Sequence, residues 1–209
     1  MHYLILHGTF GSNQGNWFPW LKEKLEEHNH TVTLPQFPIE DFEDMSAKGQ
    51  PYVCNNQNLQ NWLNYFESNV FPLIKDAIAN NTLVIIAHSL APLFCLHLIQ
   101  KFNLKLKTAV FVAPFLELTT GYWQYDQINA DFVSKSLDFN LIKRSIGQSF
   151  VYLSNNDPYV SSKTSKNFAR AIGSKELLIE DAGHFNANFG YTTFPALLEL
   201  LASDRKSVV

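Results

Sequence analysis

Leu83-Val-Ile-Ile-Ala-His-Ser-Leu-Ala-Pro-Leu-Phe94 is the stretch that decides how this chain folds. Its first five residues, Leu83 to Ala87, form an apolar run rich in β-branched side chains, which predicts a strand buried on both faces. Apolar residues then recur every three to four positions through Leu98, as they do in a helix. Ser89 therefore lies on a strand-to-helix turn. A tight turn of this kind lifts a serine hydroxyl above the sheet and directs the next backbone N–H at the same point.

The turn departs from the usual Gly-x-Ser-x-Gly pattern of a nucleophilic serine. Ala87 and Ala91 occupy the two positions at which glycine is usual. Each alanine adds one methyl group to a crowded turn, so the turn remains feasible although the match is weaker. Taken alone, the stretch fits a catalytic serine and a buried strand with an incidental serine about equally well.

The composition describes a single globular domain over residues 1–209. Apolar residues make up 46% of the chain and charged residues 17%, a balance typical of a folded domain with a large core. The net charge is -3 and no basic stripe is present, which argues against nucleic-acid binding. The longest apolar runs are far shorter than the roughly 20 residues that cross a bilayer, so no membrane span is expected.

Location and redox chemistry are also indicated by the sequence. Met1-His-Tyr-Leu-Ile-Leu-His-Gly8 lacks the basic head and apolar length of a secretion signal, and a cytoplasmic protein is expected. Cys54 and Cys95 have no partner at ligand spacing. We therefore expect two reduced thiols and neither a disulfide framework nor a metal site.

Strands and helices alternate along the chain. Apolar runs predict strands at 3–6, 31–34, 83–87, 108–113, 150–154 and 176–179, and the intervening segments include helices with one apolar face at 17–27 and 59–78. Buried strands separated by helices predict an α/β fold, a three-layer α/β/α sandwich with a mostly parallel central sheet. Ligands bind such sheets at the carboxyl ends of the strands.

Two segments lack a clear periodicity. Residues 35–58 read as a long irregular loop, either a flap near the mouth of a pocket or a solvated loop. Its acidic residues are interpreted as solvated: Glu40, Asp41, Glu43 and Asp44. Residues 115–147 are rich in aromatic side chains and follow the strand after the Ser89 turn. We expect some of these rings to belong to a small cap and others to cover the core. Phe115 and Trp123 from this segment, with Phe10 from the first loop, are expected to line a substrate pocket.

Four residues follow the carboxyl ends of four predicted strands: Thr9, Ser89, Asp157 and His184. The order Ser…Asp…His along the chain is the order of the catalytic triad in α/β-hydrolases. A serine hydroxyl needs a base that titrates near neutral pH, which imidazole supplies, and a carboxylate then fixes the imidazole tautomer. Asp157 and His184 taken singly also fit ordinary loop residues.

The backbone would supply the remaining part of such a site. The N–H groups of Thr9 and Leu90 are expected to form an oxyanion hole, in which the loss of one donor typically costs a factor of about 10²–10³ in rate. Two further histidines, His7 and His88, are interpreted as packing or hydrogen-bonding residues.

Five segments spread over nearly the whole chain carry a wider resemblance. They are Leu6-His-Gly-Thr9 with Trp17 and Trp20, Leu59-x-x-Trp62, His88-Ser89-Leu90, Asp157-Pro-Tyr-Val160, and Gly183-His-Phe-Asn186 followed by Gly190. Together they resemble the small serine hydrolases related to retinoblastoma-binding protein nine and the bacterial YdeN-type proteins. The resemblance implies a compact α/β-hydrolase fold with a small cap, no cofactor, and a triad at Ser89, Asp157 and His184.

The sequence therefore predicts a serine hydrolase that cleaves a carboxylic ester of a small molecule through an acyl-serine intermediate. Amides and thioesters are alternative substrates, and the same residues would support acyl transfer to an acceptor other than water. The rival interpretation is a catalytically weak α/β-hydrolase fold that binds a protein partner, since a fold does not determine a function.

Overall fold

A computed structural model of the chain describes residues 1–203. Within that range six strands form one sheet in which every neighbouring pair is parallel, in the order β2-β1-β3-β4-β5-β6. In chain order the strands are β1 (His2–Leu6), β2 (Thr31–Thr33), β3 (Leu83–His88), β4 (Leu106–Val112), β5 (Ile146–Ser154) and β6 (Lys175–Ile179). The predicted parallel sheet is confirmed.

Helices cover both faces of the sheet. They are α1 (Phe18–Glu27), α2 (Phe42–Lys48), α3 (Leu59–Tyr65), α4 (Phe71–Ala79), α5 (Ala91–Phe102), α6 (Trp123–Val133), α7 (Phe139–Ser145), α8 (Ser162–Ile172) and α9 (Pro195–Ser203). α1 and α9 pack their apolar residues on one face, and α3 to α8 contribute to the core on the other. All six residues of β3 are buried because this strand lies in the middle of the sheet, between the two layers of helices.

The helix predicted over 59–78 is interrupted. A π-helical segment, Phe66–Val70, separates α3 from α4, and Pro72 lies in the first turn of α4. A proline inside an uninterrupted helix would clash with the carbonyl four residues earlier and could not donate a hydrogen bond. The wider turn before Pro72 removes that conflict while the apolar face stays directed at the core.

The interpretation of residues 35–58 as irregular with a solvated acidic cluster was wrong in part. Asp41 caps the N-terminus of α2 by accepting from the Asp44 N–H at 2.7 Å, and Glu43 lies in the same first turn, where carboxylates favour a helix. Glu40 is 4% exposed and accepts hydrogen bonds from the backbone N–H groups of Asn56 and Gln57. The cluster therefore orders the loop that follows it.

The aromatic segment 115–147 contains two helices and the start of a strand. α6 lies above the carboxyl ends of the strands, and α7 is followed directly by β5, which begins at Ile146 and not at Phe150 as predicted. His97 of α5 contacts the Phe132 carbonyl at 2.8 Å, and this bond fastens α6 to the core helix. In residues 1–203 no helix combines the length and apolarity that a membrane crossing requires.

Candidate active site

Ser89 lies between β3 and α5 in a strained backbone conformation. Its φ is 64°, in the left-handed region that side chains other than glycine rarely adopt, and its N–H donates to the Val112 carbonyl at 2.9 Å. Ala87 and Ala91 are completely buried on either side of the turn. The turn therefore forms with alanine at both positions at which glycine is usual.

The steric restriction falls instead on Gly8, in the loop after β1. A Cβ atom on Gly8 would lie 2.7 Å from the Ser89 Cβ and 2.9 Å from the His88 carbonyl oxygen. Both distances are shorter than real Cβ contacts allow. The loop after β1 can therefore approach the Ser89 turn this closely only because residue 8 has no side chain.

Ser89, His184 and Asp157 form a continuous line of hydrogen bonds. The Ser89 Oγ is 3.1 Å from Nε2 of His184, and Nδ1 of the same ring is 2.7 Å from Oδ2 of Asp157. The other carboxylate oxygen of Asp157 accepts from the N–H groups of Tyr159 and Val160, both at 2.9 Å. The Asp157 side chain is 1% exposed, so its orientation is fixed on both oxygens.

The loops that carry Asp157 and His184 are joined side by side. Four consecutive side chains, from the last residue of β5 onward, each contact one of four consecutive residues after β6. The Asp181 N–H donates to Asn155 Oδ1, the Ala182 N–H to Ser154 Oγ and the Gly183 N–H to Asn156 Oδ1, and His184 Nδ1 contacts Asp157. The sheet pairing of β5 with β6 is thus continued by side chains beyond the strand ends. This arrangement sets the distance between the carboxylate and the imidazole.

His88 makes a hydrogen bond to the backbone of His184. Its ring is buried, and its Nε2 is 2.8 Å from the His184 carbonyl oxygen, to which it donates. Burial, reinforced by the charge of nearby His184, lowers the pKa of His88 to about 3, although the bond to the carbonyl opposes the shift. His88 is therefore a neutral donor near pH 7. The next carbonyl along the loop, that of Phe185, accepts a hydrogen bond from the indole N–H of Trp17 at 3.0 Å.

His7 is bound to backbone on both of its ring nitrogens. Its Nε2 accepts from the Phe37 N–H at 3.0 Å, so its Nδ1 carries the proton and donates to the Gly8 carbonyl, also at 3.0 Å. Burial lowers the pKa of His7 against the opposing effect of the bond to Gly8. His7 and His88 thus have the hydrogen-bonding roles that the sequence suggested, and His184 is the histidine in contact with Ser89.

The N–H groups of Thr9 and Leu90 have no acceptor in the part of the chain that the structure describes. Leu90 directly precedes the first residue of α5, where a helix leaves its N–H groups without an internal partner. The neighbouring Phe10 N–H, in contrast, donates to Gln57 Oε1 at 3.2 Å. Two backbone donors are thus left without a protein acceptor, one in the loop after β1 and one on the residue that follows Ser89.

A cavity of about 260 Å³ opens above Ser89. Phe10 lines it, as predicted, whereas Phe115 and Trp123 do not, and that part of the sequence prediction was wrong. Phe115 is completely buried in the core, since the chain turns inward after β4. Trp123 begins α6 and lines a shallow groove on the outside with Pro51 and Tyr52.

Three residues that the sequence reasoning did not single out contribute to the cavity: Tyr125 and Asn129 of α6, and Tyr159 from the loop after β5. Tyr125 and Asn129 are four positions apart and therefore share one face of α6. That spacing was visible in the sequence, but neither residue belongs to an apolar stripe.

Among residues 1–203, His, Cys, Asp and Glu side chains form no group of three or more that could hold a metal ion.

Comparison with known proteins places the whole arrangement in a family. A family model described as serine hydrolase matches residues 3–203. The chain belongs to the serine hydrolase family. This serine hydrolase is 26% identical to the protein YdeN of Bacillus subtilis (strain 168) over 201 residues, which are 95% of this chain and 93% of YdeN.

Solved structures agree with the fold. The crystal structure of the ydeN gene product from B. subtilis matches with a TM-score of 0.78 at 24% identity, covering 98% of both chains. A solved chain reported for the metagenome-derived lipolytic enzymes LipS and LipT matches with a TM-score of 0.67 at 14% identity, covering 98% of this serine hydrolase and 93% of the other chain. The α/β-hydrolase fold and the resemblance drawn from the sequence are both confirmed.

Proposed function

We propose that this serine hydrolase cleaves carboxylic esters of small molecules through an acyl-Ser89 intermediate. Ser89 is the nucleophile, His184 the general base and acid, and Asp157 the carboxylate that orients the imidazole. The observation that carries the proposal is the line of contacts at 3.1 Å and 2.7 Å through the two ring nitrogens of His184. Each distance lies within the range expected of a nucleophile with its base, and of a base with its orienting group.

In the acylation step Ser89 Oγ forms a bond to the ester carbonyl carbon while its proton passes to His184 Nε2. The negative charge that develops on the carbonyl oxygen is stabilised by the N–H groups of Thr9 and Leu90. The bond between the carbonyl carbon and the alcohol oxygen then breaks, and the proton on Nε2 passes to that oxygen. Asp157 stabilises the transient imidazolium through Nδ1.

In the second step a water molecule takes the place of Ser89 as the nucleophile. It gives its proton to His184 Nε2, attacks the acyl carbon, and Ser89 Oγ leaves with the proton returned by His184. We propose α6 as the small cap over this chemistry, because Tyr125 and Asn129 line the cavity from above. The lipolytic description of LipS and LipT, which share the fold, favours an ester over an amide.

Labelling of the purified protein with a fluorophosphonate probe tests the proposal. Because an activated serine attacks the probe, we expect rapid labelling of one equivalent and hydrolysis of p-nitrophenyl acetate. Ser89→Ala and His184→Ala should each lower both rates by at least about 10⁴-fold with the unfolding midpoint retained. Ser12→Ala is the matched control, since Ser12 also lines the cavity but its Oγ accepts from the Gln14 N–H and bonds to no histidine among the described residues.

A folded wild type that neither reacts with the probe nor cleaves the ester would refute the proposed chemistry. Labelling that persists in Ser89→Ala would place the reactive serine elsewhere in the chain.

A further inference from the structure

The side chains that line the cavity above Ser89 carry apolar, hydroxyl, amide and imidazole groups. Within the described residues, its lining contains no lysine, arginine, aspartate or glutamate. At about 260 Å³ the cavity is also smaller than the roughly 300–1,000 Å³ typical of sites for drug-sized ligands. An ionised substrate group would therefore lose its water without gaining a partner of opposite charge, which is costly.

Asn129 places an amide donor in this uncharged cavity. The residue is 2% exposed, and its Oδ1 accepts the hydroxyl hydrogen of Thr9 at 2.7 Å. Its Nδ2 has no acceptor among residues 1–203. Since Asn129 lines the cavity and Thr9 restrains its amide, this nitrogen is a donor without a protein partner at the cavity wall.

Aromatic rings form the wall between Asn129 and the proposed base. The rings of Tyr125 and Tyr159 stack with centroids 5.9 Å apart, and Tyr159 meets His184 edge to face at 5.1 Å. Phe10 packs against Tyr125 on the other side at 5.2 Å. Ring faces bordered by amide and hydroxyl groups suit a compact neutral molecule that has both C–H surface and hydroxyl groups.

We propose that the substrate is a short-chain acyl ester of an uncharged, hydroxyl-bearing alcohol, and that Asn129 Nδ2 donates a hydrogen bond to it. The inference rests on the proposed ester hydrolysis and adds the substrate class and one specificity-determining residue. An acetyl-sized acyl group fits the volume, and a neutral alcohol leaves no buried charge unpaired. Long-chain lipid esters and ionised esters are disfavoured.

A charge series on the wild-type protein tests the alcohol. The three substrates carry the same acetyl group on the same oxygen: 6-O-acetylglucose, 6-O-acetylglucosamine with its ammonium, and 6-O-acetylglucose 1-phosphate. We expect kcat/KM for the neutral ester to exceed both others by at least about tenfold, a difference of about 1.4 kcal/mol. A chain-length series of p-nitrophenyl acetate, butyrate and octanoate should fall in that order.

A substitution tests the role of Asn129. Asn129→Asp keeps the oxygen that accepts from Thr9 and replaces the donor with a carboxylate oxygen. We expect KM for 6-O-acetylglucose to rise about tenfold with kcat changed less than about threefold, and the preference to shift at least about tenfold toward 6-O-acetylglucosamine. Gln124→Glu makes the same chemical change on α6 outside the cavity, where its amide contacts Ser46, and should alter neither value.

The outcomes separate the two proposals. Absence of fluorophosphonate labelling in the wild type would overturn the ester hydrolase itself. If the wild type is labelled but prefers the octanoate ester or an ionised ester, the substrate class alone is overturned. An unchanged charge preference in Asn129→Asp would remove Asn129 from substrate contact, and if that variant does not fold, the wild-type series still decides the substrate class.

Discussion

The proposed active site is built by two regions that differ in how they are held. The lower region consists of loops at the carboxyl ends of β1, β3, β5 and β6, which join Ser89, Asp157 and His184 through buried hydrogen bonds. The upper region consists of α6, whose Tyr125 and Asn129 line the cavity, and of α2 and the loop between α2 and α3, which contact the cavity residue Phe10. The lower region is fixed by the sheet itself, whereas the upper region depends on a few side-chain anchors.

This difference indicates which region determines the reaction rate and which determines substrate preference. A displacement in the lower region would change the distance between the nucleophile and its base, and rate depends steeply on that geometry. A displacement in the upper region would change the cavity walls and with them the preferred substrate. Substitutions below should therefore act on kcat, and substitutions above on KM and selectivity.

The largest effect is expected for Asp157→Asn in the lower region. The amide keeps the shape of the side chain but favours the wrong tautomer of His184, so kcat should fall by about 10⁴-fold with little change in KM. Steady-state kinetics on p-nitrophenyl acetate measure it. Asp181→Asn, an exposed position two residues after β6, is the control and should retain the wild-type rate. A loss under tenfold in Asp157→Asn would mean that another group orients the imidazole.

The next effect is expected for Gly8→Ala. The new Cβ would push the loop after β1 away from Ser89, and with it the Thr9 N–H, so kcat/KM should fall by about 10²–10³-fold, the loss typical of one oxyanion donor. The matched control is Gly15→Ala in the same loop, where an added Cβ would meet its nearest atom at 3.4 Å. Equal rates in the two variants would show that the close approach of Gly8 is not needed for catalysis.

A smaller effect is expected in the upper region for Glu40→Gln. This buried carboxylate accepts from two backbone N–H groups, and Gln57 in turn accepts from the Phe10 N–H. Replacing one carboxylate oxygen with an amide should lower the free energy of unfolding by about 1–3 kcal/mol, measured by urea denaturation. We expect KM to rise more than kcat falls. The exposed Glu43→Gln should cost less than about 1 kcal/mol; similar losses in both variants would contradict an anchoring role for Glu40.

The smallest effect, counted over one pH unit, is a pH dependence of stability that originates in the lower region. The pKa of His88 is lowered to about 3 in the folded protein against 6.5 for an unperturbed histidine. The unfolded chain therefore binds more protons below pH 6.5, and stability is complete above that pH and decreases as the pH falls toward 3. Each such histidine contributes at most about 1.4 kcal/mol per pH unit.

His88→Gln provides the measurement, because its amide can still donate to the His184 carbonyl but does not titrate. The slope of unfolding free energy between pH 6 and 5 should be shallower in the variant by about the contribution of one histidine, about 1.4 kcal/mol per pH unit. Parallel slopes for variant and wild type would assign the acid sensitivity to other groups, of which His7 and His97 also have lowered pKa values.

The lower region could be predicted from the sequence because each of its parts has a strong local signal. Ser89, Asp157 and His184 each follow a short apolar run, and parallel strands bring such positions to one edge. The exact partners could not be predicted, since the contacts of Asn155 and Asn156 with the loop after β6 join residues 26 and 27 positions apart without a pattern in the chain.

A cap within residues 115–147 was expected from the sequence, but the cavity residues of the upper region were not, for a physical reason. Met45 is the one fully buried residue of α2, so this helix has no apolar periodicity to detect. α6 directs Tyr125 and Asn129 at the cavity, and the face that would otherwise read as an apolar stripe is therefore partly polar. Phe115 was misassigned because an aromatic side chain fits a pocket wall and a core equally well when only composition is considered.

The bond between His88 and the His184 carbonyl joins residues that are 96 positions apart. The proposed base follows β6, the edge strand that is also the last strand of the sheet in chain order. During synthesis, when the N-terminal part of a chain emerges first, Ser89 is in place well before its base can dock. The proposed reactivity of Ser89 toward a fluorophosphonate would therefore report on the final folding step. Stopped-flow labelling during refolding is expected to lag behind the recovery of helical circular dichroism.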